Sequence, residues 1–361
     1  MKILVDAHVF DGKFQGSRTY IHGLYSELIF MLPDWDFIFV ANKESSLINE
    51  FPRLKNVKFL TYSSSNQLSR LLVDLPSLIK THEIDFAHFQ YISPVIKSCK
   101  YIVTNHDILF TEKRFKNYFP RKFRWLKGPF FRWSSVNSDL LFTVSEYSKE
   151  KISKTYRIDE GRIKITSNAV IDNGERYEKD LKALKRDIIF VSRIEPRKNH
   201  VAVLNSFLNL DLDKKGYRLV FVGKYDLAYS EYDRFLKKHE SRLKGKFITH
   251  SGLQTSELNS IYKSAAVAVF PSFAEGFGIP PLEAAVLGVK VVCSNVTAMK
   301  DFSFFKYLVD PYNQQNMDEK LWEAIHDENY PYELIRNEIV KKYNWSNAAQ
   351  VMKEQLINAI K

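Results

Sequence analysis

The stretch Phe270-Pro-Ser-Phe-Ala-Glu275-Gly-Phe-Gly-Ile-Pro280-Pro-Leu-Glu-Ala-Ala285 holds the densest set of residues able to do chemistry. Glu275 and Glu283 stand with seven residues between them, and Gly276, Phe277, Gly278 and Ile279 lie in that interval. Glycines permit close backbone approach to a ligand. A helix opened by Pro280-Pro281 offers its first amides to an anion or a hydroxyl-rich molecule. Taken singly, Glu283 reads as a carboxylate in the first helical turn and Glu275 as a solvated loop acid. Together, with the Gly/Pro insert, they read as a ligand site. Upstream, Ser192-Arg193-Ile-Glu-Pro-Arg-Lys198-Asn-His200 places Arg193 and Lys198 five positions apart, after a strand and before a helix. Two cations so placed can clamp a diphosphate. Arg197 has no place in this reading.

Glu275-x7-Glu283 resembles the signature of the retaining GT-B glycosyltransferases called glycosyl transferases group 1. The resemblance implies that Glu275, with the loop amides, contacts the donor sugar, and that Glu283 holds the ribose hydroxyls. It implies the donor's pyrophosphate for Arg193 and Lys198. Strand Tyr101–Asn105 ends in His106-Asp107, and the family's histidine at that place contacts the donor sugar, so His106 joins Glu275 as a catalytic candidate. The loop Phe10–Ser17 leads into a helix where the family has a glycine pair near the phosphates. Here the pair reads Gly16-Ser17, which leaves Gly16 as the candidate. Thr143–Ser148 and Asn168–Val170 resemble stretches that line the family's cleft. Lys300-Asp301 stands where the family has Pro-Glu. No cofactor and no metal is implied beyond the nucleotide-sugar substrate.

Such residues need strand ends to hold them. Short β-branched runs alternate with helical patterns, which predicts βα units and parallel sheets. The predicted strands of the first half are Lys2–Ala7, Phe37–Ala41, Val57–Tyr62, Phe86–Tyr91, Tyr101–Asn105, Leu140–Ser145 and Ile163–Ser167. Those of the second half are Ile188–Ser192, Arg218–Gly223, Phe247–Ser251, Ala266–Pro271, Val289–Ser294 and Tyr307–Val309. Predicted helices include Thr19–Leu32, Val201–Leu210, Glu231–His239, Glu257–Ala265, Pro281–Leu287 and Ser346–Ile360, with Ser145 as the N-cap of another. The polar segment Asp172–Arg186 reads as a linker. The expected architecture is α/β: two facing Rossmann-like domains with the active site in the cleft between them, as in GT-B. The resemblance implies that residues 1–171 form the acceptor-binding domain, that residues 172–345 form the nucleotide-sugar-binding domain, and that helix 346–361 packs back on the first.

Composition is that of an ordinary globular chain of 361 residues, with 45% apolar and 26% charged residues. Cys99 and Cys293 read as small thiols in a reducing cytoplasm. No signal peptide and no membrane-spanning run is visible. Asp34-Trp-Asp36 and Asp211-Leu-Asp213 read as solvated turns and not as metal ligands. The net charge of +11 calls for an anionic partner. Lys113 to Arg132 carries eight cations and no acid, interleaved with aromatics including Phe115, Phe123, Trp125, Phe130 and Phe131. That segment suits an anionic membrane surface, with core aromatics under snorkelling cations as the equal alternative.

The expected function is transfer of a hexose from a UDP- or GDP-sugar to a glycan or lipid-linked oligosaccharide, with retention, in surface-polysaccharide (lipopolysaccharide) synthesis. The expected location is the cytoplasm, peripheral at the inner face of the membrane. A nucleic-acid-binding protein is the rival from another class, but none of the usual signatures is present. A dehydrogenase would need Gly-x-Gly-x-x-Gly after a strand, which is missing. An epimerase or phosphorylase of the same fold remains open at this stage.

Overall fold

The computed structural model describes residues 1–12, 16–171, 186–225 and 227–360. The chain divides into two compact units, Met1–Ala169 with Tyr343–Lys361, and Val170–Lys342. Residues 172–185 of the expected linker lie outside the described residues.

In the first unit the apolar runs become β1 Lys2–Asp6, β2 Asp36–Ala41, β3 Val57–Thr61, β4 Phe86–Gln90, β5 Lys100–Thr104, β6 Leu140–Thr143 and β7 Ile163–Ile165. They pair in the order β3-β2-β1-β4-β5-β6-β7, parallel throughout. Strands covered on both faces read as continuous apolar runs, and β1, β2 and β4 are buried along almost their full length. Helix Gly16–Met31 buries Tyr20, Ile21, Leu24, Tyr25, Leu28 and Ile29. The last helix, Trp345–Ile360, lies against it. A Cβ on Gly23 would fall 2.0 Å from Trp345 Cε2, so only glycine lets the indole seat there. Ser145 caps helix Glu146–Tyr156, its hydroxyl accepting from the Ser148 amide at 3.1 Å.

The second unit carries β8 Asp187–Val191, β9 Arg218–Val222, β10 Phe247–His250, β11 Val267–Phe270, β12 Lys290–Ser294 and β13 Tyr307–Val309. Their order is β10-β9-β8-β11-β12-β13, again parallel. In each sheet the winding reverses beside the first strand, between β1 and β4 and between β8 and β11. Ligands of doubly wound sheets bind at the carboxyl ends of the strands flanking such a point.

One expectation is corrected here. Asp211 and Asp213 do not merely meet solvent, because Arg242 spans both, donating to Asp211 Oδ1 at 2.8 Å and to Asp213 Oδ1 at 2.6 Å. The basic aromatic segment contains a helix, Arg121–Asn137. Its aromatics split: Phe115 and Phe131 are core, whereas Trp125, Leu126 and Phe130 are 81%, 67% and 47% exposed. Among the described residues no helix is long and apolar enough to cross a membrane.

Candidate active site

The second unit gathers its candidates at the β8/β11 switch point. After β8 the chain runs through Arg193 into the turn Pro196–Lys198, and after β11 it enters the loop carrying Glu275. The two segments are tied by main chain, with Phe273 N–H donating to Arg197 C=O at 2.9 Å. Asn199 adds a second tie, its side-chain amide donating to Pro271 C=O at 3.2 Å and Pro311 C=O at 3.0 Å.

Glu275 is not the solvated loop acid it resembles in isolation: its side chain is 13% exposed. Lys198 Nζ donates to Oε1, Ser272 Oγ donates to the same oxygen at 2.9 Å, and Arg197 Nη1 donates to Oε2 at 2.8 Å. Burial pushes the carboxyl up, but Lys198 and then Arg197 outweigh it and hold it at about 2. Glu275 is therefore an anion at any physiological pH. Burial and the Arg197 charge pull the Lys198 ammonium down from its ordinary value, opposed by Glu275 and Glu195.

Arg197, which the sequence left without a place, is central. Besides Glu275 it donates to Ala274 C=O at 2.6 Å and to Glu195 Oε1 at 2.5 Å. Arg193 joins the same network through Glu195, with Nη2 3.8 Å from Oε1, and its side chain is 57% exposed. Thr297 is the other residue missed. It holds φ at +56°, unusual for a β-branched residue, and its hydroxyl accepts from Glu275 N–H at 3.0 Å. A strained residue tied to a loop acid at a strand end is a functional pointer no sequence pattern supplies.

The loop continues into helix Ile279–Val286. Gly278 sits at φ +109°, where a Cβ would also stand 3.1 Å from Met299 Cγ. The Phe277 ring is core, edge-on to Phe302 at 5.8 Å, and Gly276 is buried as well. Ile279 is the first helical residue, so Glu283 lies in the second turn and not in the first as expected. Its carboxylate makes no hydrogen bond among the described residues, and burial pushes it up to about 7. Glu283 thus stands apart from the Glu275 ion-pair network. Among the described residues no cluster of His, Cys, Asp or Glu is arranged to hold a metal.

In the first unit, His106 follows β5 and is 7% exposed. Its Nε2–H donates to Gln90 Oε1 at 2.6 Å, because an amide oxygen can only accept. Burial pushes the imidazole down to about 3, so it is neutral with Nδ1 unprotonated. Gln90 Nε2 in turn donates to His88 Nε2 at 3.2 Å, and Thr104 Oγ1 lies 2.8 Å from the same nitrogen. His88 Nδ1–H then donates to Tyr25 Oη at 2.8 Å. Gln90 was legible only as a polar residue within the apolar run Phe86–Tyr91. Gly16 opens helix Gly16–Met31, exposed, and a Cβ there would meet nothing within 4 Å. Among the described residues nothing crowds that position.

The glycosyl transferases group 1 family matches residues 173–341, and glycosyltransferase family 4 matches residues 16–173. The serotype-specific mannosyltransferase WbdA of Escherichia coli is 28% identical over 252 residues, 64% of this chain and 31% of that protein. The matched region thus spans under a third of WbdA. The O-antigen chain mannosyltransferase B of Escherichia coli is 26% identical over 354 residues, covering 88% of each chain. The structure of HepE from Anabaena in complex with UDP-glucose aligns over 99% of this chain and 100% of that one, with a TM-score of 0.73 at 15% identity.

Proposed function

Since the chain belongs to the glycosyl transferases group 1 family and has the GT-B fold of two Rossmann-like domains, we propose that it moves a hexose from UDP- or GDP-hexose to a hydroxyl of a glycan or lipid-linked oligosaccharide. The observation that carries this reading is Glu275, a buried anion locked between Lys198 and Arg197 at the switch point, with Glu283 unpartnered on the helix that follows.

Arg193, Lys198 and the first amides of helix Ile279–Val286 take the diphosphate. Lys198 gives one donor to Glu275 and keeps others for phosphate. Glu283 accepts from the ribose hydroxyls. Glu275 and the Gly276–Ile279 main chain orient the hexose, and His106 is assigned a contact to the same sugar. The acceptor oxygen attacks the anomeric carbon, the bond to the β-phosphate oxygen breaks, and the diphosphate leaves with the electron pair. Cations and amides fixed beforehand stabilise that charge without a metal. The acceptor's proton passes to the leaving phosphate oxygen on the same face, which retains the configuration.

WbdA and the mannosyltransferase B support surface-polysaccharide synthesis as the setting and a mannosyl donor as the first to try. Exposed Trp125, Leu126 and Phe130, flanked by Arg121, Lys122 and Arg132, support peripheral docking on an anionic membrane from the cytoplasmic side. Thermal-shift titration with UDP, GDP, ADP and their hexoses, followed by a transfer assay, tests the reading. Stabilisation by none of them would end it. Loss of salt-sensitive binding to anionic vesicles in a Trp125→Ser/Phe130→Ser variant is expected, and wild-type binding by that variant would remove the membrane assignment.

A further inference from the structure

A second charged constellation lies at the β1/β4 switch point of the first unit, outside the residues assigned above. Asp6 ends β1 and is 1% exposed. Its Oδ1 accepts from the Tyr62 hydroxyl at 2.6 Å, from His8 Nδ1 at 2.7 Å and from the His8 main-chain N–H at 3.3 Å. Its Oδ2 is buried without a hydrogen bond, and the nearest cation, Arg70 Nε, stands 3.6 Å away and is likewise buried without an acceptor. Burial pushes the carboxyl up, but His8 and Arg70 hold it below the usual carboxylate range, so Asp6 is a buried anion. A carboxylate on Nδ1 holds the ring proton there, so in the neutral imidazole it is Nε2 that can accept. That Nε2 has no partner among the described residues, and the His8 side chain is 28% exposed.

A purely structural role for Asp6 is met by Tyr62 and Arg70 alone. It does not require an imidazole with one nitrogen anchored and the other open at the carboxyl end of a switch-point strand. The charge of Asp6 offsets that of Arg70, so the place favours a neutral, hydroxyl-rich ligand over a phosphate. The geometry points to His8, oriented by Asp6, as the residue that binds the acceptor, its Nε2 accepting a hydrogen bond from a sugar hydroxyl beside Arg70. This assignment rests on the glycosyl-transfer reading and deepens it by naming an acceptor-binding residue.

The test uses the whole chain labelled with ¹⁵N-histidine, with methyl α-D-mannopyranoside as the sugar probe in the presence of GDP. The expected spectrum has His8 protonated on Nδ1, with an Nε2 signal that moves saturably as the probe is added. His8→Asn keeps a side-chain donor for Asp6 and removes the Nε2 acceptor, so its unfolding midpoint and GDP affinity match wild type. Its KM for the probe in transfer from GDP-mannose rises about fivefold to tenfold, the effect of one lost hydrogen bond. His8→Gln, which restores a polar atom near Nε2, recovers most of that loss. A proton on Nε2, a signal unmoved by the probe, or an unchanged KM in His8→Asn overturns the assignment. Failure of wild type to bind either GDP or UDP would instead count against the glycosyl-transfer reading, and the sugar titration would still decide the role of His8.

Discussion

Donor affinity should fall about tenfold between pH 8 and pH 6, and Glu283→Gln should abolish that fall. Burial alone sets the Glu283 carboxyl at about 7, with no ion pair to hold it down. At a pKa of about 7 roughly nine-tenths of the group is ionised at pH 8 and roughly one-tenth at pH 6, so an interaction needing the carboxylate weakens about tenfold, about 1.4 kcal/mol. The sign follows from hydrogen-bond roles: ribose hydroxyls donate, and the ionised carboxylate accepts both, whereas the protonated acid loses acceptor capacity. Binding is therefore strong above the titration and lost as pH falls through it. Glu275 at about 2 and His106 and His200 at about 3 do not titrate in this window. Tyr262, the buried phenol that senses Glu283, is pushed well above its ordinary value and stays neutral. The phosphates of a nucleotide sugar are diesters and remain charged throughout. Calorimetric titration of the donor at several pH values, on wild type and Glu283→Gln, reads the effect directly. A flat wild-type profile, or an equal slope in the variant, refutes the reasoning.

Glu275→Gln leaves the buried Lys198 without its hydrogen-bonded counter-charge and Arg197 with Glu195 alone, so unfolding stability should drop by about 3–5 kcal/mol and transfer should fall at least about a hundredfold; denaturant melts and a transfer assay separate the two effects. Arg197→Met keeps the volume of the stem but frees Glu275 and Glu195 from a shared donor. It should lower kcat about tenfold or more while leaving the fold intact by circular dichroism. Gly278→Ala forces a Cβ onto φ +109° and against Met299, and should cost about 1–3 kcal/mol in a thermal melt.

The central strands were readable because the apolar runs of β1, β2, β8 and β11 report burial on both faces. Their observed ends differ from expectation by one or two residues, as at β4, where Gln90 and not Tyr91 is last. Helix Arg121–Asn137 was not readable as a helix. Its cations, aromatics and an internal Pro129 obscure the 3.6-residue period, and only contact with the core separates Phe131 from Phe130. In the site, types and spacing singled out Glu275, Glu283, Arg193 and Lys198, but not their states. Glu275 turned out to be clamped, Glu283 to be alone, and Arg197 to be the link.

By itself the sequence determined two runs of βα units, the strand ends that carry polar residues, and the Glu-x7-Glu spacing that marks the family. Such signals are local, since periodicity and spacing act within one element or one loop. The tertiary structure decided which charges meet, because a parallel sheet joins strands only through long crossovers. Pairing β8 with β11 brings Lys198 and Arg197 to Glu275 across 77 and 78 residues of chain. At that junction Lys198 and Arg197 hold one carboxylate at about 2 against its burial, while burial alone raises its neighbour along the chain to about 7.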